Sequence, residues 1–223
     1  MTTTLAIADD QDLVRSGLRL LLETRGFEIV GEAANGQDAV TVARRRMPDV
    51  ILMDVRMPIL DGVAATREIM RLELRTRVHV LTTYDLDEYV YGALRAGAVG
   101  FLLKSTPPDM LAAGVATVAA GDALLAPSLT RRLIEEHVRR PPTLKGRVPA
   151  ELSTLTEREL QVLRHIARGL SNDEIARALY LGQATVKTYV NRLLAKLDLR
   201  SRVQAVVLAY ETGLIRPGER ANG

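Results

Sequence analysis

The sequence predicts two folds in series: an α/β unit built on a five-stranded, doubly wound parallel sheet, and a small all-α module of four helices whose central pair is a helix-turn-helix. Three observations carry this prediction. Apolar, β-rich runs alternate with helix-like stretches five times in residues 1–120. The stretch RRPPTLKGRVPAE, Arg139 to Glu151, then holds three prolines and a glycine and cannot sustain a long regular element. Beyond it the chain reads as short, capped helices.

The strands are predicted at Leu5–Ala8, Ile29–Gly31, Val50–Met53, Val78–Thr82 and Val99–Leu103. Segments such as Asp12–Arg25, Gly36–Arg46 and Asp87–Ala96 are long enough for right-handed crossover helices, which a parallel sheet requires. Pro107–Ala120 reads as the last helix of this unit, and Ser128–Val138 as a further short amphipathic helix. In the second module Thr156 with Glu159, and Ser171 with Glu174, both fit the capping box, in which a hydroxyl and a carboxylate satisfy orphan amides at a helix start. Gly169 ends the first of these helices, Leu181-Gly182 breaks the second, a third begins at Thr185, and a fourth spans about Ser201–Glu211. The boundaries that follow are 1–121 for the α/β domain, 122–152 for a linker with a short helix, and 153–223 for the helical domain.

Composition removes several function classes. The 223 residues, 47% hydrophobic and 26% charged, are those of an ordinary folded chain. Without cysteine there is no disulfide framework or thiolate zinc site, and His79, His137 and His165 are too scattered for a structural zinc cage. No apolar run approaches the ~18 residues of a membrane span, and the N-terminus lacks a leader pattern, so a cytoplasmic protein without membrane contact is expected. The formal charge of +3 is unevenly placed: residues 1–140 hold 17 basic against 19 acidic side chains, and 141–223 hold 13 against 8. A basic second module fits contact with a polyanion, although a solvated surface would look the same.

Open parallel sheets bind ligands beyond the carboxyl ends of their strands. There the chain places Asp9 and Asp10 after the first strand, Asp54 after the third, Thr82 after the fourth and Lys104 after the fifth. Three crowded carboxylates repel one another unless a cation joins them, and hard oxygen donors with open water positions suit Mg²⁺. Lys104 and Thr82 add a cation and a hydroxyl for phosphoryl oxygens, with Asp54 the best-placed nucleophile. Taken singly, each has an ordinary structural explanation, such as a helix cap or a strand threonine; the combination is what points to phosphoryl chemistry.

The set LAIADD, VILMDVRMPILDG, VLTTYD and GFLLKS resembles a response-regulator receiver domain. LTEREL, SNDEIA, ATVKTYV and KLDLRSR resemble the LuxR-type helix-turn-helix of the NarL/FixJ family. The resemblance spans nearly the whole chain and implies the flavodoxin-like strand order 2-1-3-4-5, an order for which receivers are a standard example. It further implies Asp54 as phosphoacceptor, Asp10 as a direct Mg²⁺ ligand with Asp9 beside it, and the Arg56 carbonyl completing the protein ligands. Lys104 would pair with phosphoryl oxygens, Thr82 would swing to bond one of them, and Phe101 matches the aromatic switch position, where a plain core role would look alike. Pro58 and Gly62 shape the loop after Asp54. Ser105 stands where receivers often carry proline. Arg56 and Tyr84 are large residues expected to flank the path of an attacking water, so slow phosphate loss is expected.

In the second module Val186, Val190, Leu193 and Leu197 form one apolar stripe, leaving Thr188, Asn191 and Ala195 opposite, flanked by Lys187 and Arg192. Such a face suits a major groove, and the family resemblance implies base contacts at Lys187, Thr188 and Asn191. Thr185, Lys196, Arg200, Ser201 and Arg202 are placed for phosphates, which fix register rather than sequence. Gly182 replaces a frequent serine and Tyr189 a frequent histidine. The partners implied are promoter DNA, a sensor histidine kinase, a second copy of the chain and RNA polymerase. Kinase specificity is expected on the first helix, including Arg15, Leu18 and Arg19.

The leading reading is a transcription factor, not an enzyme in its own right, that assists its own aspartyl phosphorylation and dephosphorylation. Phosphorylation would unmask the recognition helix, promote dimers and favour promoter binding. A DNA-binding regulator controlled independently of phosphorylation is the alternative. A Mg²⁺ phosphohydrolase is disfavoured because such enzymes often carry a second acid two residues after the nucleophile, where this chain has Arg56.

Overall fold

A computed structural model of the chain describes residues 2–83, 88–120 and 150–215. The expected helix at Ser128–Val138, the linker up to residue 149 and Tyr84 lie outside them. Two compact units divide at Leu124 and Leu125. No helix among the described residues is long and apolar enough to cross a membrane.

The first unit is an all-parallel sheet of β1 (Thr4–Ala8), β2 (Glu28–Ala33), β3 (Val50–Asp54), β4 (Arg77–Thr82) and β5 (Gly100–Leu103). Its order, β2-β1-β3-β4-β5, is the one the family resemblance implied. The crossovers are α1 (Asp12–Glu23), α2 (Gly36–Arg46), α3 (Gly62–Arg71) and α4 (Glu88–Ala96), and α5 (Pro108–Ala119) follows β5. Strand alternation sorts the apolar side chains onto two faces. Ala6, Ala8, Ile51, Met53 and Val78 meet α2 and α3 through Ala39, Ala43, Ala65 and Ile69. Leu5, Ile7, Val50, Leu52 and Leu81 meet Leu22 of α1 and Leu111, Val115 and Val118 of α5. Both faces are thereby sealed, which leaves the strand ends as the place for polar chemistry.

Two ends in this unit differ from the sequence expectation by two residues, the other described ends by at most one. β2 runs from Glu28 to Ala33, because its pairing with β1 extends to Ala33 opposite Ala8. α1 stops at Glu23, and the chain then turns through Gly26 at φ +85°.

In the second unit a short 3₁₀ turn (Ala150–Leu152) precedes α6 (Glu157–Ala167), α7 (Asn172–Leu179), α8 (Gln183–Lys196) and α9 (Arg202–Glu211). Both capping boxes form, at Thr156 with Glu159 and at Ser171 with Glu174. Gly169, at φ +84°, closes α6 with a Schellman pair, Leu170 N to His165 O and Gly169 N to Ile166 O. α8 starts at Gln183, two residues before the expected Thr185, because Gly182 supplies the extended N-cap backbone and its carbonyl accepts from Thr185 and Val186.

Candidate functional site

β1, β3 and β5 deliver the predicted charged set to one end of the sheet. Asp9 is 1% and Asp54 7% exposed, Asp10 faces solvent, and one oxygen from each lies within 4.8 Å of the others. Lys104 reaches in from the end of β5, its Nζ 2.6 Å from Asp9 Oδ2 and 3.0 Å from Asp54 Oδ2. Backbone amides hold the remaining oxygens: Gln11 N donates to Asp9 Oδ1 at 3.1 Å and Val55 N to Asp54 Oδ1 at 2.8 Å. Asp9 Oδ2 is buried with no aligned hydrogen bond, so its close ion pair with Lys104 leaves acceptor capacity unused.

The electrostatics of the site are in conflict. Burial raises the Asp54 pKa above the usual carboxylate value; Lys104 opposes the shift and Asp9 adds to it. Burial alone would lower Lys104, but its bonds to Asp9 and Asp54 outweigh that and raise it. One ammonium thus serves two buried carboxylates. A divalent cation fits this donor set, which offers three carboxylate oxygens and an under-used one among them.

Thr82, buried at the end of β4, pairs with Leu103, and its carbonyl accepts from Lys104 N at 2.7 Å. That bond sets the register in which Lys104 reaches Asp54. Arg56 is exposed in the loop after β3. Phe101 is 3% exposed, packed in the interior. The Lys104–Ser105 peptide is trans.

The loop after Asp54 is pressed against the site. A Cβ on Gly62 would lie 2.1 Å from the Asp54 carbonyl oxygen, and one on Gly36 2.3 Å from the Leu60 oxygen. Gly62 N donates to Val55 O and Gly36 N to Leu60 O, so the loop is clamped at both ends. Ile59 sits in this loop at φ +68° and 83% exposed, an unfavourable backbone for a β-branched residue.

Sequence reasoning missed the role of Arg15. Expected to face a kinase, it turns inward, donating through Nη1 to the Asp9 carbonyl at 2.7 Å and pairing with Asp12 and Glu32. A salt-bridged guanidinium thereby braces the turn that carries the acidic pair. Only the i,i+3 spacing of Asp12 and Arg15 hinted at this, and that spacing is common on helix surfaces.

In the second unit α8 buries Val186, Val190 and Leu193 and exposes Lys187, Thr188, Asn191, Arg192 and Ala195, the face the sequence predicted. Thr185 is exposed at the start of the helix. Three expected phosphate contacts also have tasks inside the fold. Lys196 Nζ lies 2.6 Å from the buried Glu159 Oε2. Ser201 is buried and caps α9 by accepting from Gln204 N. Arg202 donates to Asn172 Oδ1 and to the Leu170 carbonyl, and burial lowers it to about 10. Arg200 is exposed, and its backbone N donates to Gln204 Oε1.

Comparison with known proteins agrees with both halves. Residues 5–116 match the response regulator receiver domain, and residues 153–209 match the bacterial regulatory proteins of the luxR family. The chain belongs to the response regulators that join a receiver to a LuxR-type DNA-binding domain. It is similar to the transcriptional regulatory protein YxjL of Bacillus subtilis, with 41% identity over 95% of this chain and 96% of that one. It is likewise similar to the response regulator protein VraR of Staphylococcus aureus, with 37% identity over 97% of this chain and all of that one. Among solved structures, the response regulator ChrA of a heme-sensing two-component system shares 31% identity over 96% of this chain and 99% of its own, with a TM-score of 0.52. The NarL receiver domain from Mycobacterium tuberculosis shares 35% identity over 54% of this chain and 98% of its own, also with a TM-score of 0.52.

Proposed function

We propose that this response regulator is a cytoplasmic, phosphorylation-dependent transcription factor with a receiver at 1–121, a linker at 122–152 and a DNA-binding domain at 153–223. The observation that carries the reading is the single ammonium of Lys104 set between the buried carboxylates of Asp9 and Asp54. An Asp54 carboxylate oxygen attacks phosphorus on the phosphohistidine of a sensor kinase; the P–N bond breaks and its electron pair leaves with the imidazole. Lys104 and Thr82 then contact the phosphoryl oxygens. Asp9, Asp10, Asp54 and the Arg56 carbonyl would hold Mg²⁺, which when bound offsets charge on those oxygens.

Leu13 and Leu20 of α1 and Met110 of α5 are exposed apolar side chains suited to a protein partner, here the kinase. The acyl phosphate shifts the population toward a homodimer that binds paired half-sites in a promoter and engages RNA polymerase. Lys187, Thr188 and Asn191 read bases. Thr185, Lys196, Arg200, Ser201 and Arg202 lie along the phosphates, and substitutions at Lys196, Ser201 and Arg202 report stability as well as DNA contact.

Intact mass after incubation with acetyl phosphate and Mg²⁺, with size-exclusion chromatography, tests the reading. One phosphoryl group on the wild type, none on Asp54→Ala, and a shift toward dimer are expected. No adduct, with an active kinase tried as well, overturns it in favour of phosphate-independent control. Replacing Arg56 by Asn should shorten the acyl-phosphate half-life, and an unchanged half-life would sink its shielding role.

A further inference from the structure

The output unit carries a second cluster of cations that the reading above leaves unused. Arg158, Arg164 and His165 of α6 and Arg168 at its C-cap, with Leu179 and Tyr180 at the end of α7, line a cavity of about 370 Å³. No carboxylate is among its described lining residues. Arg158 is committed to the fold: Nη1 donates to Gln161 Oε1 and Nη2 to the Leu179 carbonyl, each at 2.7 Å. Arg164 is exposed and has no partner among the described residues. Arg168 Nε and His165 Nδ1 are shielded from solvent, again with no hydrogen-bond partner.

A concave site that gathers guanidinium groups and has no carboxylate among its described lining residues is complementary to an anion. Burial first, and then the charges of Arg168 and Arg158, hold His165 below the ordinary imidazole range. A tetrahedral phosphate brings close to two negative charges and several acceptor oxygens, enough to face Arg164, Arg168 and His165 together.

We propose that this pocket is a phosphate-binding site, with Arg164 and Arg168 as its charged ligands and His165 on its wall. The phosphate belongs either to a free phosphorylated small molecule or to a nucleic-acid backbone. The fold favours the free molecule. The flank of α7 that borders the turn into α8 presents Asp173, Ala176 and Arg177, and the basic pocket opens beside Ala178 and Leu179, round the helix from that flank, with Tyr180 shared by both. A bound anion would tie α6 to the first helix of the helix-turn-helix. The inference does not depend on Asp54 being phosphorylated.

The test uses the full chain with chelator present and the imidazole NMR signals of its three histidines, His165 being assigned from His165→Gln. Pyrophosphate is titrated at constant ionic strength, and duplex DNA of arbitrary sequence is titrated separately. The His165 signal should move to saturation while His79 stays still, with affinity weakened about tenfold in Arg164→Gln, a change at an exposed residue that spares the fold. Movement with pyrophosphate assigns the site to a free ligand, and movement with the duplex alone assigns it to the backbone. No movement with either, movement that chloride reproduces, or movement unchanged in Arg164→Gln overturns the proposal.

Discussion

Each unit contains a buried carboxylate beside a lysine, and the two pairs titrate in opposite directions. Asp54 and Lys104 lie 3.0 Å apart, and the aspartate pKa is raised; Glu159 and Lys196 lie 2.6 Å apart, and the glutamate pKa is lowered. Burial pushes both upward. Glu159 overcomes it because it has Lys196 as its partner, accepts from the Thr156 amide and hydroxyl, and sits at a helix N-terminus. Asp54 does not, because its lysine is shared with Asp9 at closer range. The Glu159–Lys196 pair is a satisfied rivet, and the Asp54–Lys104 pair is a conflict held in place by the strands around it. Local conflict of this kind marks a site built to receive something.

The largest effects should come from forcing each unit's backbone. Gly62→Ala places a methyl 2.1 Å from the Asp54 carbonyl oxygen and should cost about 3 kcal/mol and suppress acyl-phosphate formation. Gly182→Ser at the start of α8 meets only Thr185 Oγ1 at 3.6 Å and improves the cap, so it should be neutral or stabilising by a few tenths of a kcal/mol, roughly. Urea melts followed by tryptic digestion assign each change to its unit. Equal losses at both glycines would break the contrast.

Acid should separate the units next. His79 is fully buried in β4 with neither ring nitrogen bonded, and burial lowers it from 6.5 to about 4. Between these values the unfolded chain binds the extra proton, so the stability present above pH 6.5 is lost as pH falls from 6.5 to about 4, by about 3 kcal/mol in all, and the loss is complete there. Glu159, with its pKa lowered, contributes stability present above its ordinary value of 4.5 and lost only as pH falls below it. The receiver should therefore open first on acidification, seen as earlier amide exchange in β3 and β4 than in α6. His79→Leu should remove most of that difference; an unchanged acid midpoint would dismiss His79 as its source.

The carboxylates themselves give a smaller effect with opposite signs. Glu159→Gln should destabilise the second unit by about 2 kcal/mol, because Lys196 and the α6 cap lose a charged partner. Asp54→Asn, without divalent cation, should stabilise the first unit by about 1 kcal/mol, because repulsion with Asp9 ends while Lys104 keeps one carboxylate. Thermal melts of both variants decide it, and a loss in both would mean that the receiver site is as satisfied as the other.

How far the sequence foretold these features depends on range. The capping boxes and the stripe of Val186, Val190 and Leu193 follow from spacings of three or four residues, and the strand-end carboxylates from where the apolar runs stop; the structure places them so, while Leu197, expected to extend the stripe, falls at the helix end and is half-buried. Lys104 was legible as a strand end, but its choice of Asp9 as the closer partner depends on β5 standing three places from β1, with β3 and β4 between. The inward turn of Arg15 and the burial of Glu159 against Lys196, 37 residues away, needed tertiary contacts that no periodicity encodes. The same holds for Lys196, Ser201 and Arg202, whose charge and hydroxyls suggested phosphates while packing gave them partners nearer home.

The finest comparison lies in two residues with left-handed backbone. Ile59, beside the phosphoacceptor, has φ +68° and is 83% exposed; Tyr180, at the end of α7, has φ +54° and is 95% exposed. Neither loses much burial on replacement by glycine, so each change should stabilise by about 1 kcal/mol, more at Ile59 because branching at Cβ worsens the clash. The functional consequence should differ. Tyr180→Gly relaxes a helix end whose carbonyls are already met by Tyr180 and Leu181 amides, and DNA affinity should hold. Ile59→Gly relaxes a loop clamped onto Asp54 by Gly36 and Gly62, so phosphorylation by acetyl phosphate should slow as stability rises. If that rate is unchanged while stability rises, the strain at Ile59 is incidental to the site, and the conflict among Asp9, Asp54 and Lys104 is left as the only tension that serves it.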